Sequence, residues 1–151
     1  MIFDNFPVLY KFFRFIVTAT GSQGYISGGS ITFDDKMIDH YNSFDVDTGI
    51  YKAPETGTYL FFFNSLATNS GFVSVYVNDR MVYKFTEYDK SHYGCSGFVC
   101  GNTHSHNFMF STKLDEGDEL WLYNQQVIYD KDQYLFNVEN QPMTFVGYKT
   151  S

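Results

Sequence analysis

Apolar and polar residues alternate along most of the chain, and few windows show the three-to-four spacing of an amphipathic helix. Residues 15–19 (FIVTA) read as a first strand, closed by the loop TGSQGYISGG, and residues 30–33 as a second, ended by Asp34-Asp35. Residues 58–66 form a buried aromatic strand. Residues 72–78 alternate as FVSVYVN and turn at Asn78-Asp79 into residues 81–85, which predicts a hairpin. Phe108, Phe110, Thr112 and Leu114 then share one strand face, Glu116-Gly117-Asp118 makes a turn, and ELWLYNQ returns. A last strand spans residues 143–149. About ten short strands separated by turn residues predict one all-β domain, a sandwich or jelly roll.

The stretch FDVDTGIYKAPETGTYLF (44–61) carries the most information. Asp47-Thr48-Gly49 is a turn, because glycine tolerates positive φ and aspartate bonds nearby backbone. Residues 50–53 form a short strand. Pro54 lacks an N–H and marks a connection rather than a central ladder. The order of anchors (aromatic-Asp, Thr-Gly, aromatic, Pro, Gly, Tyr, Phe) resembles the signature of the C1q globular-head family. FIVTA at 15–19, LDEGDELWL at 114–122 and TFVGY at 144–148 are similar to three further landmarks of that family, in family order.

The resemblance spans residues 15–149 and leaves residues 1–14 as an N-terminal arm or extra strand. It implies a ten-stranded jelly roll of the tumour-necrosis-factor-like type, assembling as a trimer. Phe15, Tyr51, Tyr59, Phe61, Phe108, Phe110, Phe145 and Tyr148 are then the aromatics of core and trimer contact. It further implies a secreted, non-enzymatic recognition protein that binds glycans, microbial surface polymers or proteins in innate immunity. A cytokine- or adipokine-like ligand for a cell-surface receptor is the alternative, and an intracellular regulatory module a third. The chain departs from the pattern at Asp39-His40-Tyr41, where many members have Asn-x-Gly, and it contains no Gly-X-Y repeat.

Composition agrees with this picture. Aromatic residues make up 21% of the 151 residues, with 17 Phe and 13 Tyr. That is more than a single small domain comfortably buries, and it favours an aromatic association surface. A net charge of −7 repels phosphate backbones and anionic membranes, which argues against nucleic acid and anionic membranes as partners. No apolar run approaches the roughly 20 residues of a spanning helix. In MIFDNFPVLYKFFR, Asp4 stands where a signal peptide has its basic region, and Lys11 and Arg14 interrupt the apolar run; an arm packed on the body is expected.

Enzyme signatures are missing: no Gly-x-Ser-x-Gly, phosphate loop, His-Glu-x-x-His or Gly-x-Gly-x-x-Gly occurs. The loop bounded by Thr86 and Thr103 holds three Gly, Cys95 and Cys100, and is the expected ligand-binding region. Cys95 and Cys100 read first as a small disulfide loop, with two free thiols or a zinc site completed by His104 and His106 as the other readings. His104 and His106 share the parity of Phe108 and Phe110, which also suggests a pH-sensitive element near a subunit contact. Calcium is a candidate cofactor. Tyr88-Asp89 is similar to a calcium-binding step of some family members, with an ordinary solvated acid as the bland alternative. Trp121, the single Trp, lies opposite Leu120 and Leu122; packing is expected for it over sugar stacking.

Overall fold

Thirteen strands pair into two sheets in the computed structural model of the chain, which describes residues 13–19, 24–25, 29–68, 71–87, 103–126, 134–136 and 142–150. They are β1 (Phe13–Ala19), β2 (Gly24–Tyr25), β3 (Gly29–Ser30), β4 (Asp35–Asp39), β5 (Phe44–Asp45), β6 (Ile50–Lys52), β7 (Gly57–Thr68), β8 (Gly71–Val77), β9 (Arg80–Glu87), β10 (Thr103–Leu114), β11 (Glu119–Gln126), β12 (Tyr134–Phe136) and β13 (Met143–Lys149). The first sheet runs β10–β7–β13–β1–β4, with β12 and β2 continuing it beyond β13 along the end of β7. The second runs β5–β6–β11–β8–β9, with β3 beside β11. Every ladder is antiparallel, and the two sheets form a jelly-roll sandwich.

Strand β4 was not legible as one: the second strand was expected to stop at Asp34-Asp35. Instead the chain crosses between the sheets there. Ile31 N–H donates to the Leu122 carbonyl in the second sheet (2.9 Å), and Asp34 N–H donates to the Thr18 carbonyl in the first (3.0 Å). Ile31 and Phe33 fill the interior during the crossing, and the largely exposed, polar β4 then pairs with β1 as an edge. An edge strand that buries only Ile38 shows no period-2 signal.

Residues of alternate parity from both sheets meet in an aromatic core. Phe15 sits at its middle, with ring centroids 4.7 Å from Phe44, 4.6 Å from Tyr51 and 5.2 Å from Phe145. Phe61 stacks on Phe110 at 5.0 Å and on Phe145 at 5.7 Å. Each such pair adds about 0.5–1.5 kcal/mol beyond area burial. Phe15 pairs in register with Gly147, whose missing side chain makes the room: a Cβ there would lie 2.2 Å from the Phe15 ring.

Turns behave as their residues predict. Gly49 has φ 76°, its N–H donates to the Asp45 carbonyl (2.8 Å), and a Cβ there would strike the Ile31 carbonyl oxygen. The β8–β9 hairpin turns through Asn78 and Asp79 with φ of 48° and 67°. Asn78 Nδ2 donates to Asp118 Oδ1 (2.8 Å), and Glu119 N–H donates to Asn78 Oδ1 (2.9 Å), which fastens this turn to the start of β11.

Three outcomes follow from this packing. Gly147→Ala forces the Phe15 ring aside and lowers the unfolding free energy by about 1–3 kcal/mol in urea titrations. Asn78→Ala loses two hydrogen bonds and puts a residue that tolerates the left-handed region less well than asparagine at φ 48°, costing about 2 kcal/mol, read as a lower thermal midpoint. Burial, and after it the neighbouring Tyr59, pushes the Tyr51 hydroxyl far above its ordinary value of 10.0. The folded chain therefore holds this proton more tightly than the unfolded chain. The stabilisation is complete below about pH 10 and is lost as pH rises beyond it. Unfolding titrations at pH 8 and pH 11 should show a smaller loss for Tyr51→Phe than for the natural chain.

Candidate functional site

Because binding residues in a sandwich sit on loops and outward faces, the surfaces around this core are the places to look. Three stand out among the described residues. The largest is a groove of about 820 Å³, floored by Phe44 and Ala53 and walled by Lys36, Tyr41, Lys52 and Glu116. Its rim is the 3₁₀ turn at residues 40–42, where Tyr41 and Asn42 take φ of 70° and 50°. The Asp39 carboxylate holds this turn by accepting the backbone N–H groups of Ser43 (3.0 Å) and Phe44 (3.1 Å). Lys36 Nζ bridges Asp39 (3.2 Å) and Asn42 Oδ1 (3.1 Å). Tyr41 thus keeps a left-handed backbone that glycine would enter freely, at the point where the chain departs from Asn-x-Gly. Its ring is 63% exposed and backed by the Arg14 guanidinium at 5.3 Å, itself paired with Glu55 at 2.7 Å.

The second surface is the outward face of the first sheet. Strand parity that sends Phe61 and Phe63 inward sends Phe62 outward, and the same holds for Met109 between Phe108 and Phe110. Phe62 pairs in register with both Met109 and Val146, and the three border a shallow cavity of about 550 Å³. Phe62 is 42% and Met109 57% exposed. Toward one end the face turns polar through Asn64, Ser105, Asn107 and Thr144. Tyr148 lies on the apolar side, edge-on to Phe13 at 5.4 Å.

The third is the outward face of the second sheet, where Trp121 stacks on its cross-strand partner Tyr76 (5.7 Å, 6° between planes) and Tyr123 meets Tyr76 edge-on at 6.2 Å. A cavity of about 430 Å³ beside Trp121 is lined by Ser30, Ile50, Asn78, Asp79 and Glu119. Parity therefore placed Trp121 correctly, and its packing partner lies outside the core.

The predicted aromatics divide between core and surface. Phe15, Tyr51, Tyr59, Phe61, Phe110 and Phe145 are buried in the sandwich. Phe108 is partly buried, stacked on Phe63 at 5.0 Å and Phe85 at 4.2 Å, and Tyr83 Oη donates to the Ser111 carbonyl (2.7 Å), so these rings close the open edge between β9 and β10. His104 and His106 both belong to β10. The His106 ring is 1% exposed and edge-on to Phe108 at 5.7 Å, so it is covered within a single chain. No group of three His, Cys, Asp or Glu residues suited to a metal occurs among the described residues. Asp89, Cys95 and Cys100, with nearly all of the 86–103 loop, lie outside the described residues. Sequence reasoning missed Tyr41, Phe62 and Met109. The signal for Tyr41 was a tyrosine at a glycine position, and for the other two an apolar residue of outward parity.

Among the described residues no helix is long and apolar enough to cross a membrane. No curated protein matches the chain. The chain is similar in fold to the globular domain of zebrafish complement 1qA protein (TM-score 0.63, 17% identity, 91% of this chain and 96% of that one). It is likewise similar to Eiger TNF from S. frugiperda (TM-score 0.62, 13% identity, 93% and 94%). Murine APRIL at pH 5.0 matches with TM-score 0.61 and 10% identity over 92% and 99%. The C1q domain model matches residues 14–149, nearly the whole sandwich, and the chain therefore belongs to the C1q domain family.

Proposed function

We propose that the protein is a non-catalytic recognition module that works as a homotrimer, its first sheet facing the threefold axis. The observation that carries this reading is the outward apolar band of Phe62, Met109, Val146 and Tyr148 on a C1q-family sandwich. Two exposed apolar side chains in register on neighbouring strands cost little only when another surface covers them. A cyclic contact is heterologous and buries the band of each chain against its neighbours. Three ligand sites on one rigid body then give avidity to weak individual contacts. Glycans, microbial surface polymers or proteins are the ligands this reading assigns, outside the cell, with the surface loops as contact regions. Calcium at Asp89 belongs to the same reading.

A second reading has support of its own. It is a receptor-binding ligand, and what supports it is the fold shared with Eiger TNF, which matches as well as the complement domain does.

Light scattering on the purified chain should return three times the chain mass at micromolar concentration. Phe62→Asp should return the mass of one chain while keeping its β-sheet circular dichroism. A natural chain that runs as a monomer removes the assembly. Retention on a glycan panel, competed by free sugar, distinguishes the first reading from a receptor ligand, which would bind cells and no sugar.

A further inference from the structure

The outward face of the second sheet holds a group of side chains that neither the core nor the apolar band uses. Trp121 stands on β11 between β8 and β6. On the β8 side its indole lies flat against Tyr76, with Tyr123 bracing Tyr76 edge-on. Trp121 also borders the cavity of about 430 Å³, whose lining takes Ile50 from β6, Ser30 from β3, Asp79 from the β8–β9 turn and Glu119 from β11. The indole is thus steadied by packing on Tyr76, and the same ring lines a recess bordered by a serine and two acidic residues.

The walls of this recess are set before any ligand arrives. Asn78 takes no part in binding, because its side chain is committed to Asp118 and to the Glu119 backbone, and its own N–H donates to the Glu119 carbonyl (2.9 Å). Those bonds hold the left-handed Asn78-Asp79 turn against β11 and so fix where Asp79 projects. Rigid groups lose little entropy on binding, which is the main cost of a small polar site.

We infer that this recess is a saccharide subsite for a neutral or amine-bearing pyranose, with Trp121 as its stacking platform. A pyranose ring presents C–H groups on one face and hydroxyls around its edge. An aromatic face takes the first, while carboxylate oxygens, which only accept, take the second. The recess lies within the size range of small-molecule sites, and Ile50 supplies an apolar contact beside the ring. Asp79 and Glu119, on a chain of net charge −7, disfavour sialic acid, uronic acids and phosphorylated sugars by like-charge repulsion. An amine on the sugar gains from the same carboxylates and from the indole face. The inference rests on the trimeric recognition reading. There the first sheet turns inward, so all three copies of the Trp121 face point outward and reach one polymer together.

The single Trp gives a direct readout, because its emission reports on the platform itself. The full chain is titrated with chitotriose, its de-N-acetylated form, maltotriose and sialyllactose. The expected result is a saturable emission change with at least one neutral or amine-bearing probe and none with sialyllactose. In calorimetry Trp121→Ala should weaken that binding by about tenfold or more, with Trp121→Phe between it and the natural chain. Asp79→Asn, on an exposed turn, should weaken it with no change in thermal midpoint. Equal binding of sialyllactose, or binding that Trp121→Ala leaves intact, overturns the subsite while the recognition reading survives. A natural chain that binds none of the four probes likewise overturns the subsite, and one that also runs as a monomer overturns the trimeric reading with it.

Discussion

Everything in this fold depends on a large ring fitted into a space that one glycine leaves open. Phe15 projects from β1 between the sheets and touches Phe44 and Tyr51 from one sheet and Phe145 from its own. It can do so because Gly147, opposite it on β13, has no side chain. Close-packed interiors tolerate little change of volume, so this pair sets how near the two sheets approach. The 44–61 segment supplies both partners across the gap, and the tight turn at Gly49 leaves room for the crossing at Ile31.

The described core is packed largely with aromatic side chains, and the outward faces carry the exposed chemistry. The two outward faces differ in chemistry. The first sheet shows Phe62, Met109 and Val146 in register, an apolar band with a polar end. The second shows Trp121, Tyr76 and Tyr123 beside Asp79 and Glu119. A scaffold with one sticky and one polar-aromatic face suits assembly on one side and recognition on the other. The groove beneath Tyr41 adds a third region, held in a left-handed turn by Asp39, Lys36 and Asn42.

Much of the scaffold was legible as local pattern. The hairpin at Asn78-Asp79, the turn at Gly117 and the final strand at residues 143–149 appear where alternation and turn residues put them. β4 was not legible, because a polar edge strand buries too little to show a period. β10 begins at Thr103, earlier than the apolar pattern suggested, since it is held by its ladder to β7 along its full length. The site was less legible than the fold. Trp121 was visible as an outward residue, yet its partner Tyr76 is distant in sequence and joins it only through strand register.

By itself, the sequence determined the all-β class, the turns at Gly49, Asn78-Asp79 and Gly117, and the family landmarks. These are local properties, set by side-chain alternation and by backbone conformations that only certain residues accept. Tertiary structure alone decided that Gly147 serves Phe15, that His106 is covered by the sandwich, and that Asn78 pins the turn beside Trp121. Each of these is a contact between residues far apart in the chain. Such contacts exist only after the register and spacing of both sheets are set, and no short window of sequence contains that information.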